Sequence, residues 1–388
     1  MARYKLEDIF DLQMGKTPSR NNPEYWDSCD NKWISIGDLT QAGKYVTDTK
    51  EYISDLAVEE SGIKLIPANT VVMSFKLSIG KTAITSGEMY SNEAIMAFHD
   101  KHVVDLIPEY IYYMFKYKNW DEGTNKAVMG KTLNKATLSK VEIEVCPFEK
   151  QKEIVELLDK VSAILEERND ELQKLDDLIK ARFVEMFGSY PENEKGWETG
   201  TIRDLVTDVR YGSSRKAAEG NQGKYRYLRM NNITYSGELD LTDVKTIDIP
   251  DQELDKCAVR KGDLLFNRTN SKELVGKTCV YDRDEQMVLA GFVIRVRLND
   301  RALPEFVSAF LNTDFSKAML LAKCKTAVGQ ANINAQEFQN IGIYVPPIEF
   351  QKEFVSFKKQ VNKSKVAVQS ALDKAQLLFD SLMQQYFG

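Results

Sequence analysis

Residues 149–188 read EKQKEIVELLDKVSAILEERNDELQKLDDLIKARFVEMFG, and this stretch decides how the rest of the chain is organised. Apolar residues recur in alternating steps of four and three, which is the pattern of a helix that packs against another long helix. Neither proline nor glycine interrupts the pattern before Gly188. At 1.5 Å per residue the helix would be roughly 55 Å long, too long to fold back on its own domain. We therefore predict a rod that separates two globular parts.

A second long helix is predicted at the end of the chain, because residues 349–388 repeat this stretch with an offset of 200. Polar residues interrupt the seam at 168 and 182 in the first helix but at 358 and 365 in the second, so the helices are not interchangeable. Residues 149–190 carry seven basic and eleven acidic side chains, whereas residues 349–388 carry six and four. Complementary charge predicts that the two helices pair within one chain. The predicted pairing residues are Ile154, Leu158, Val161, Leu165, Leu172, Leu175, Ile179, Phe354, Val361, Val368, Leu372, Phe379 and Leu382.

The globular parts are duplicated as well. Gly80-Lys81-Thr82 returns as Gly276-Lys277-Thr278, and Pro108-Glu109 returns as Pro304-Glu305, both with an offset of 196. In each copy, short runs of β-branched and aromatic residues between turn formers predict strands, including one at 288–296, and a proline opens a helix. The fold class is α+β, with two similar mixed α/β domains. The predicted boundaries are 1–148 and 191–348 for the globular domains, and 149–190 and 349–388 for the long helices.

Composition limits the class of protein. The chain has 388 residues, 43% of them hydrophobic, and a net charge of −6, so that it can fill several cores but is not basic overall. Its five cysteines form no C-x-x-C pair, and its N-terminus lacks the apolar run of a signal peptide. These features predict a reduced, cytoplasmic protein that contains no membrane span.

The loops between the predicted strands mix Arg and Lys with Asn, Gln, Ser and Thr and contain almost no acids. Arg reads guanine edges, Asn and Gln read adenine edges, and Lys, Ser and Thr hold phosphates. Plain solvated loops explain any one of them about as well, but similar loops recur at matching places in both copies. The candidate DNA contacts are Lys16, Thr17, Ser19, Arg20, Lys76, Ser78, Lys81, Lys126, Lys131, Asn134, Arg210, Ser213, Ser214, Arg215, Lys216, Arg229, Asn231, Asn232, Arg268, Thr269, Asn270, Lys272, Lys277, Lys325, Gln330, Asn332 and Asn334.

Motifs for catalysis fail on inspection. A phosphate-binding loop needs a glycine five residues before its Gly-Lys-Thr, but for the triplets that begin at Gly80, Gly130 and Gly276 positions 75, 125 and 271 are Phe, Asn and Ser. The segment Asn22-Pro23-Glu24-Tyr25 resembles a base-gripping motif of amino-methyltransferases, yet no glycine-rich cofactor loop accompanies it. His99 and His102 are the only histidines, without a supporting Cys/His cluster for a metal. The sequence therefore indicates a binding protein that has no catalytic residues, metal ligands or cofactor of its own.

Four segments carry a specific resemblance: KTPSRNNPEYW (16–26), CPFEKQKEIVELL (146–158), KGDLLFNRTNSKELVGKT (261–278) and VGQANINAQEFQNIGIYVPPIEFQKEF (328–354). Together they resemble the specificity subunits of type I restriction–modification systems, over essentially the whole chain. In the first copy Cys146 stands where the second copy has Pro346. One proline still precedes the first helix, so the departure should cost little.

The resemblance implies a division of labour. Each globular domain would be a target recognition domain that reads one half of a bipartite double-stranded DNA site. The two helices would pair antiparallel, set the gap between the halves and dock two modification subunits, which would carry S-adenosylmethionine and methylate adenines. A restriction subunit can join such complexes. The alternative is a two-headed coiled-coil adaptor that binds proteins rather than DNA. Leu157, Leu178 and Phe183, off the seam, are hypothesised to dock the partners.

Overall fold

The structure is a computed structural model that describes residues 2–76, 78–120, 125–127, 130–327 and 330–388. At 125–127, 130–132 and 325–327 and at residue 330 it describes the backbone alone. The first long helix runs from Phe148 to Phe187 and the second from Ile348 to Phe387, each with 40 residues. Contacts divide the chain into a first unit, Met1–Arg168 with Ala371–Gly388, and a second unit, Asn169–Ser370. Each unit therefore holds one globular domain and about half of both long helices.

The first domain is built on a five-stranded mixed sheet, in the order β2-β9-β6-β7-β4, and a three-stranded sheet, β5-β3-β8. Its strands are Ala2–Lys5 (β1), Phe10–Met14 (β2), Asn31–Ile34 (β3), Tyr45–Val46 (β4), Glu51–Ile53 (β5), Val71–Ser74 (β6), Thr82–Thr85 (β7), Tyr90–Ser91 (β8), Ile95–Asp100 (β9), Asn125–Ala127 (β10), Gly130–Thr132 (β11) and Glu142–Val145 (β12). Its helices are Leu6–Ile9, Ile36–Gln41, Asp55–Ser61, Pro108–Tyr117 and Lys135–Ser139, with a 3-10 turn at Pro23–Tyr25. Strand β1 closes the domain by pairing antiparallel with β12.

The second domain repeats this plan with two four-stranded sheets, β14-β22-β18-β20 and β16-β15-β21-β17, and a three-stranded sheet, β19-β24-β23. Its strands are Glu198–Thr201 (β13), Val206–Tyr211 (β14), Tyr225–Leu228 (β15), Lys245–Ile247 (β16), Ala258–Val259 (β17), Leu264–Asn267 (β18), Thr269–Asn270 (β19), Thr278–Val280 (β20), Met287–Leu289 (β21), Val293–Leu298 (β22), Lys325–Ala327 (β23), Gln330–Asn332 (β24) and Gly342–Val345 (β25). Its helices are Asp251–Cys257, Pro304–Leu311, Asp314–Lys323 and Ala335–Gln339, with 3-10 turns at Ile202–Leu205, Glu219–Asn221 and Met230–Asn232.

Two local expectations were wrong or incomplete. The strand expected at 288–296 is two strands, β21 and β22, in different sheets, because the chain turns at Gly291 between them. The helix Asp314–Lys323 was not anticipated. Thr313 caps it by accepting a hydrogen bond from the Ser316 amide, which is a cap signal that the sequence does show.

The motif that precedes each long helix ties that helix to its domain. Gln151 is fully buried, donates from Nε2 to the Asp105 and Cys146 carbonyls at 2.9 and 3.0 Å, and accepts from the Ile107 amide at 3.0 Å. Gln351 makes the same three hydrogen bonds 200 residues later, to Arg301 and Pro346 at 3.0 and 2.8 Å and from the Leu303 amide at 2.8 Å. Each glutamine forms hydrogen bonds with backbone groups that are not bonded within a helix or a sheet. These bonds fix the angle at which the helix leaves the domain.

All thirteen predicted seam residues are buried or half-buried. Within the second unit the long helices run antiparallel, since Arg182 pairs with Glu353 at 3.1 Å and Asp176 pairs with Lys365 at 2.6 Å. In the first unit the start of one helix lies beside the end of the other, with Lys150 Nζ 5.9 Å from the centre of the Tyr386 ring.

The hypothesis that Phe183 points outward was wrong. Its ring is 1% exposed and lies 4.9 Å from the ring of Phe187 and 5.2 Å from that of Phe354, because the end of the helix packs on the domain core as well as on its partner helix. Leu157 is partly buried against the core of the first unit, whereas Leu178 is exposed.

Candidate nucleic-acid interface

In both domains the first polar loop leaves the sheet through a glycine. A Cβ added to Gly15 would lie 2.2 Å from the Asn92 carbonyl oxygen, and one added to Gly212 would lie 2.2 Å from the Ala290 carbonyl oxygen. Only glycine permits such a close approach of two backbone segments. The loops that contain Lys16 to Arg20 and Ser213 to Lys216 therefore begin with the same close backbone approach in the two copies.

In the first domain the loop ends in a preorganised arginine. Arg20 forms a two-pronged ion pair with Glu51, at 2.5 and 3.0 Å, and its guanidinium carbon lies 3.6 Å from the centre of the Trp26 ring. Hydrogen bonding raises the pKa of Arg20 and lowers the pKa of Glu51. The arginine side chain is still about half exposed, at 49%. A guanidinium that stacks on an aromatic ring and donates two parallel hydrogen bonds has the geometry for binding bases and phosphates. To bind them, Arg20 must first break its ion pair with Glu51.

The other candidates in the first domain surround this arginine loop or lie on neighbouring turns. Lys16 donates to the Ser61 carbonyl, and Thr17 donates to Glu93. Lys76 lies 5.1 Å from the centre of the Phe75 ring, and Asn134 caps a helix by accepting from the Thr137 amide. Ser19, Ser78 and Lys81 are exposed.

Three candidate arginines of the second domain are also held by carboxylates. Arg215 meets Glu253 through two hydrogen bonds, at 3.1 and 2.7 Å, as Arg20 meets Glu51 in the first domain. Arg210 pairs with Asp208 at 2.9 Å. Arg229 pairs with Asp243 at 2.8 Å.

Arg268 differs from the other four candidate arginines because no carboxylate among the described residues pairs with it. One of its terminal nitrogens donates to Asn332 Oδ1 at 3.1 Å, and its guanidinium carbon lies 4.9 Å from the centre of the Tyr211 ring. Asn332 in turn donates to Thr269 Oγ1 at 3.2 Å, which holds the amide in place. Among the described residues, no ion pair would have to break before Arg268 could bind a guanine edge or a phosphate.

Four candidates are buried, and their prediction as surface contacts was wrong for this structure. Ser213, Asn232, Thr269 and Lys277 are between 2% and 8% exposed. Asn232 donates to the Asp240 and Asp243 carbonyls and so closes a turn. Burial lowers the pKa of Lys277. Their polar character suggested loop contacts, but packing encloses them.

The remaining candidate DNA contacts fall into two groups, those whose side chains the structure describes and those whose side chains it does not. Ser214, Lys216, Asn231 and Lys272 are exposed, Asn270 is half-buried, and Asn334 caps a helix by accepting from the Gln336 and Glu337 amides. The side chains of Lys126, Lys131, Lys325 and Gln330 lie outside the described part of the chain. Sequence reasoning did not include Trp26 and Tyr211, although both aromatic residues stand within six residues of a candidate arginine.

The long helices carry a second kind of surface. Several large apolar side chains on them are more than 40% exposed, namely Ile164, Leu178, Val184, Phe350, Val366, Leu377 and Leu378. Among the described residues no helix is long and apolar enough to cross a membrane. No group of three or more His, Cys, Asp or Glu side chains in the same part of the chain could hold a metal ion.

Comparisons with known proteins give a consistent result. The family model described as type I restriction modification DNA specificity domain matches residues 1–174 and again 194–375. The EcoKI specificity subunit of Escherichia coli K12 is 24% identical over 67% of this chain and 62% of its own length. The MjaIX specificity subunit of Methanocaldococcus jannaschii is 28% identical over 55% and 53%. The chain thus matches between half and two thirds of the length of these relatives.

Two solved structures have a similar fold. A type I restriction–modification S subunit from M. genitalium superposes with a TM-score of 0.53 at 13% identity, over 100% of this chain and 96% of the other. A chain from a study of complex assembly in a type I restriction–modification system gives 0.59 at 14% identity, over 100% and 97%. Both likenesses concern the fold of the chain.

Proposed function

The chain belongs to the type I restriction modification DNA specificity family, and from that membership we propose that it is the non-catalytic subunit that selects the DNA sequence in a type I restriction–modification complex. Each globular domain reads one half of a bipartite double-stranded target. The observation that carries this proposal is the duplicated loop, which begins at Gly15 in one domain and at Gly212 in the other and places a two-pronged arginine after it in both. Two equivalent reading surfaces in one chain suit a target with two halves.

The paired helices set the gap between the half-sites. The repeat in the sequence gives each long helix a globular domain before it, and a rigid spacer fixes half-site separation as a dimer axis does in other DNA-binding proteins. We expect a heptad inserted at matching places in both helices to add about 10 Å, or about three base pairs of gap. Both half-sites should keep their sequences. A gap that does not change would contradict the spacer role.

The partners are two modification subunits and, where the system has one, a restriction subunit. The modification subunits supply S-adenosylmethionine and adenine methylation in the cytoplasm, where the host DNA lies. The exposed apolar side chains on the long helices support this assignment, since such side chains usually mark contact surfaces. Ile164 and Leu178 on the first helix and Val366 and Leu377 on the second are the best positions at which to test docking.

The decisive experiment is co-expression of the chain with its modification subunits, followed by sequencing of methylated bases in the host genome. We expect a bipartite methylated motif. Alanine substitution of Arg20 together with Lys16 should alter the specified bases of one half only, and substitution of Arg268 with Lys272 should alter the other half. If the methylated motif is the same after both double substitutions, these loops do not recognise the DNA sequence.

A protein-binding adaptor, the alternative that the sequence left open, is not favoured by the family match. The two ideas still separate in one measurement. The complex should retain duplex DNA at low salt and lose it as salt rises, because phosphate contacts release counterions. An adaptor would bind no nucleic acid at any salt concentration.

A further inference from the structure

The second unit contains a cavity of about 480 Å³ between its globular domain and the second long helix. Val355, Lys358, Asn362 and Lys365 line it from one face of the helix, since they follow each other at intervals of three or four residues. The domain contributes residues that include Leu239 and Val280 to the opposite wall. The volume lies in the range of small-molecule sites, about 300–1,000 Å³.

In the first unit the same region of the fold is filled by a tyrosine. Tyr113 donates to Asp159 Oδ1 at 2.5 Å and lies 3.3 Å from Ser162 Oγ, so that its phenol joins the domain to the first long helix. Lys44 completes this contact with an ion pair to Asp159 at 2.7 Å. Burial, with the hydrogen bond to Asp159, raises the pKa of Tyr113.

The second copy has no tyrosine at the equivalent position, and it has a lysine where the first copy has a leucine. At the offset of 196 that relates the two proline-initiated helices, Ala309 stands in place of Tyr113. At the offset of 200 that relates the long helices, Lys358 stands in place of the fully buried Leu158. Ala309 lines a smaller cavity of about 40 Å³, which shares Glu238 and Lys358 with the larger one.

Lys358 and Asn362 lack the partners that buried polar groups normally have. Within the described part of the chain Lys358 makes no hydrogen bond or ion pair, and burial lowers its pKa. Lys365, two turns further along, is satisfied by Asp176 at 2.6 Å and by Glu238 at 2.8 Å. Between them the Oδ1 atom of Asn362 is buried without a hydrogen-bond partner.

Lys358 makes the cavity suitable for an anion. Lys365 is held by Asp176 and Glu238, whereas Lys358 has no ion pair among the described residues. Much of the remaining wall is aliphatic, from residues such as Leu172 and Val355. A lysine without an ion pair beside an apolar wall fits a monoanion with an apolar body.

We propose that this cavity is a binding site for a small ring-containing organic acid, whose carboxylate pairs with Lys358 and whose ring packs on the aliphatic wall that includes Leu172, Leu239 and Val280. Asn362 lies one turn from Lys358 and turns its amide to donate to the carboxylate or to accept from a ligand hydroxyl. The ligand thereby supplies a charge partner for Lys358. This site does not depend on the proposed DNA recognition.

The test uses the full-length chain and three probes in thermal unfolding and titration calorimetry. 4-Hydroxyphenylacetate has both the ring and the anion, 4-hydroxyphenylacetamide has the ring without the charge, and acetate has the charge without the ring. At about ten times its Kd the first probe should raise Tm by about 2–4 °C. Neither of the others should do so at the same concentration. Equal binding of the acid and its amide, or no shift with the acid, overturns the proposal.

Two variants restore the residues of the first copy and should close the site. Lys358→Leu removes the charge partner and should weaken binding of 4-hydroxyphenylacetate at least about tenfold. Asn362→Ser removes the amide that faces the ligand and should also weaken binding. Lys352→Leu, on the exposed face of the same helix, is the matched control and should bind as the unaltered chain does. Circular dichroism establishes that each variant is folded. Unchanged affinity in both folded site variants refutes the assignment.

Discussion

The two contacts between a globular domain and its long helix differ in what fills them, although the chain repeats itself around both. In the first unit a tyrosine and a lysine meet Asp159, and every polar group of that contact has a partner. In the second unit Lys358 has no hydrogen bond or ion pair with any described residue, and it lies beside a cavity of about 480 Å³. The glutamines at 151 and 351 are bonded identically in both. Duplication therefore preserved the backbone path, which hydrogen bonds fix, while the side chains that fill the contact diverged.

The candidate DNA-binding loops of the two domains also differ, in the groups that hold their arginines. Arg20 is held by a carboxylate on one side and an indole on the other, whereas Arg268 rests on Tyr211 and on the neutral amide of Asn332. An arginine bound to a glutamate must give up that ion pair before it can bind DNA. Arg268 has no ion pair with a carboxylate among the described residues. The arginines of the two domains therefore differ in the interactions that must break before they can bind DNA.

The largest expected effect concerns the apolar part of the second contact. Phe354 is fully buried against Phe183 and Phe187, with ring centres 5.2 and 5.7 Å away. Phe354→Ala should lower the free energy of unfolding by about 3–5 kcal/mol, because it leaves a large cavity in an aromatic cluster. Phe350→Ala, on the same helix and 45% exposed, should change it by less than about 1 kcal/mol. Urea unfolding measures both, and equal losses would show that this cluster does not anchor the helix.

A second prediction concerns the lysines that distinguish the second unit. Burial, reinforced by Lys180 and Lys277, lowers the pKa of Lys317 from 10.5 to about 8. Between these two values the unfolded chain binds more protons than the folded one, so stability should rise with pH, by at most about 1 kcal/mol per pH unit. Lys317→Met should flatten that rise, whereas Lys323→Met, at the exposed end of the same helix, should retain it. The midpoints of urea unfolding at pH 8 and pH 10 measure the rise for each protein. An equal rise in the Lys317→Met variant would contradict the prediction.

The third prediction compares the two arginines. Arg268→Ala should weaken binding of the cognate duplex by about 1–3 kcal/mol and relax one position of its half-site. Arg20→Ala should cost less, because the free energy of the exposed ion pair with Glu51, up to about 1 kcal/mol, offsets part of what Arg20 gains on DNA. Fluorescence anisotropy with the methylated motif and with single-base variants measures both losses. A larger loss for Arg20 would reverse the assigned order.

The smallest expected effect tests the sealed contact of the first unit. Tyr113→Phe keeps the ring but removes the hydroxyl that donates to Asp159, and should lower stability by about 1 kcal/mol. Tyr117→Phe, in the same helix and 37% exposed, serves as the control and should leave stability within about 0.5 kcal/mol. If the two substitutions have the same effect, the phenol hydroxyl does not hold the helix to its domain.

Periodicity and repetition predicted the architecture because they depend on local chemistry. The seam from Ile154 to Ile179, the two-fold repeat and several inner strands, such as Val71–Ser74 and Leu264–Asn267, follow from the spacing of apolar residues, which is the same whether or not the chain is folded. The strand at 288–296 was misjudged because an apolar run cannot show that it is divided between two sheets. Asn232 and Lys277 were misjudged because residue type alone does not reveal burial. The pairing of Arg20 with Glu51, 31 positions away, left no local signal.

By itself the sequence determined that the chain is a duplicated α+β protein with two long helices and polar, arginine-bearing loops, since each of these follows from residue order over short stretches. Only the tertiary structure decided which arginines are held by carboxylates, which loop residues are buried, and where the two copies cease to be equivalent. Those outcomes depend on contacts between residues far apart in the chain. The replacement of Leu158 by Lys358 is visible in the sequence, but its consequence required the fold, because only the fold shows that this lysine lines a cavity and has no ion pair among the described residues.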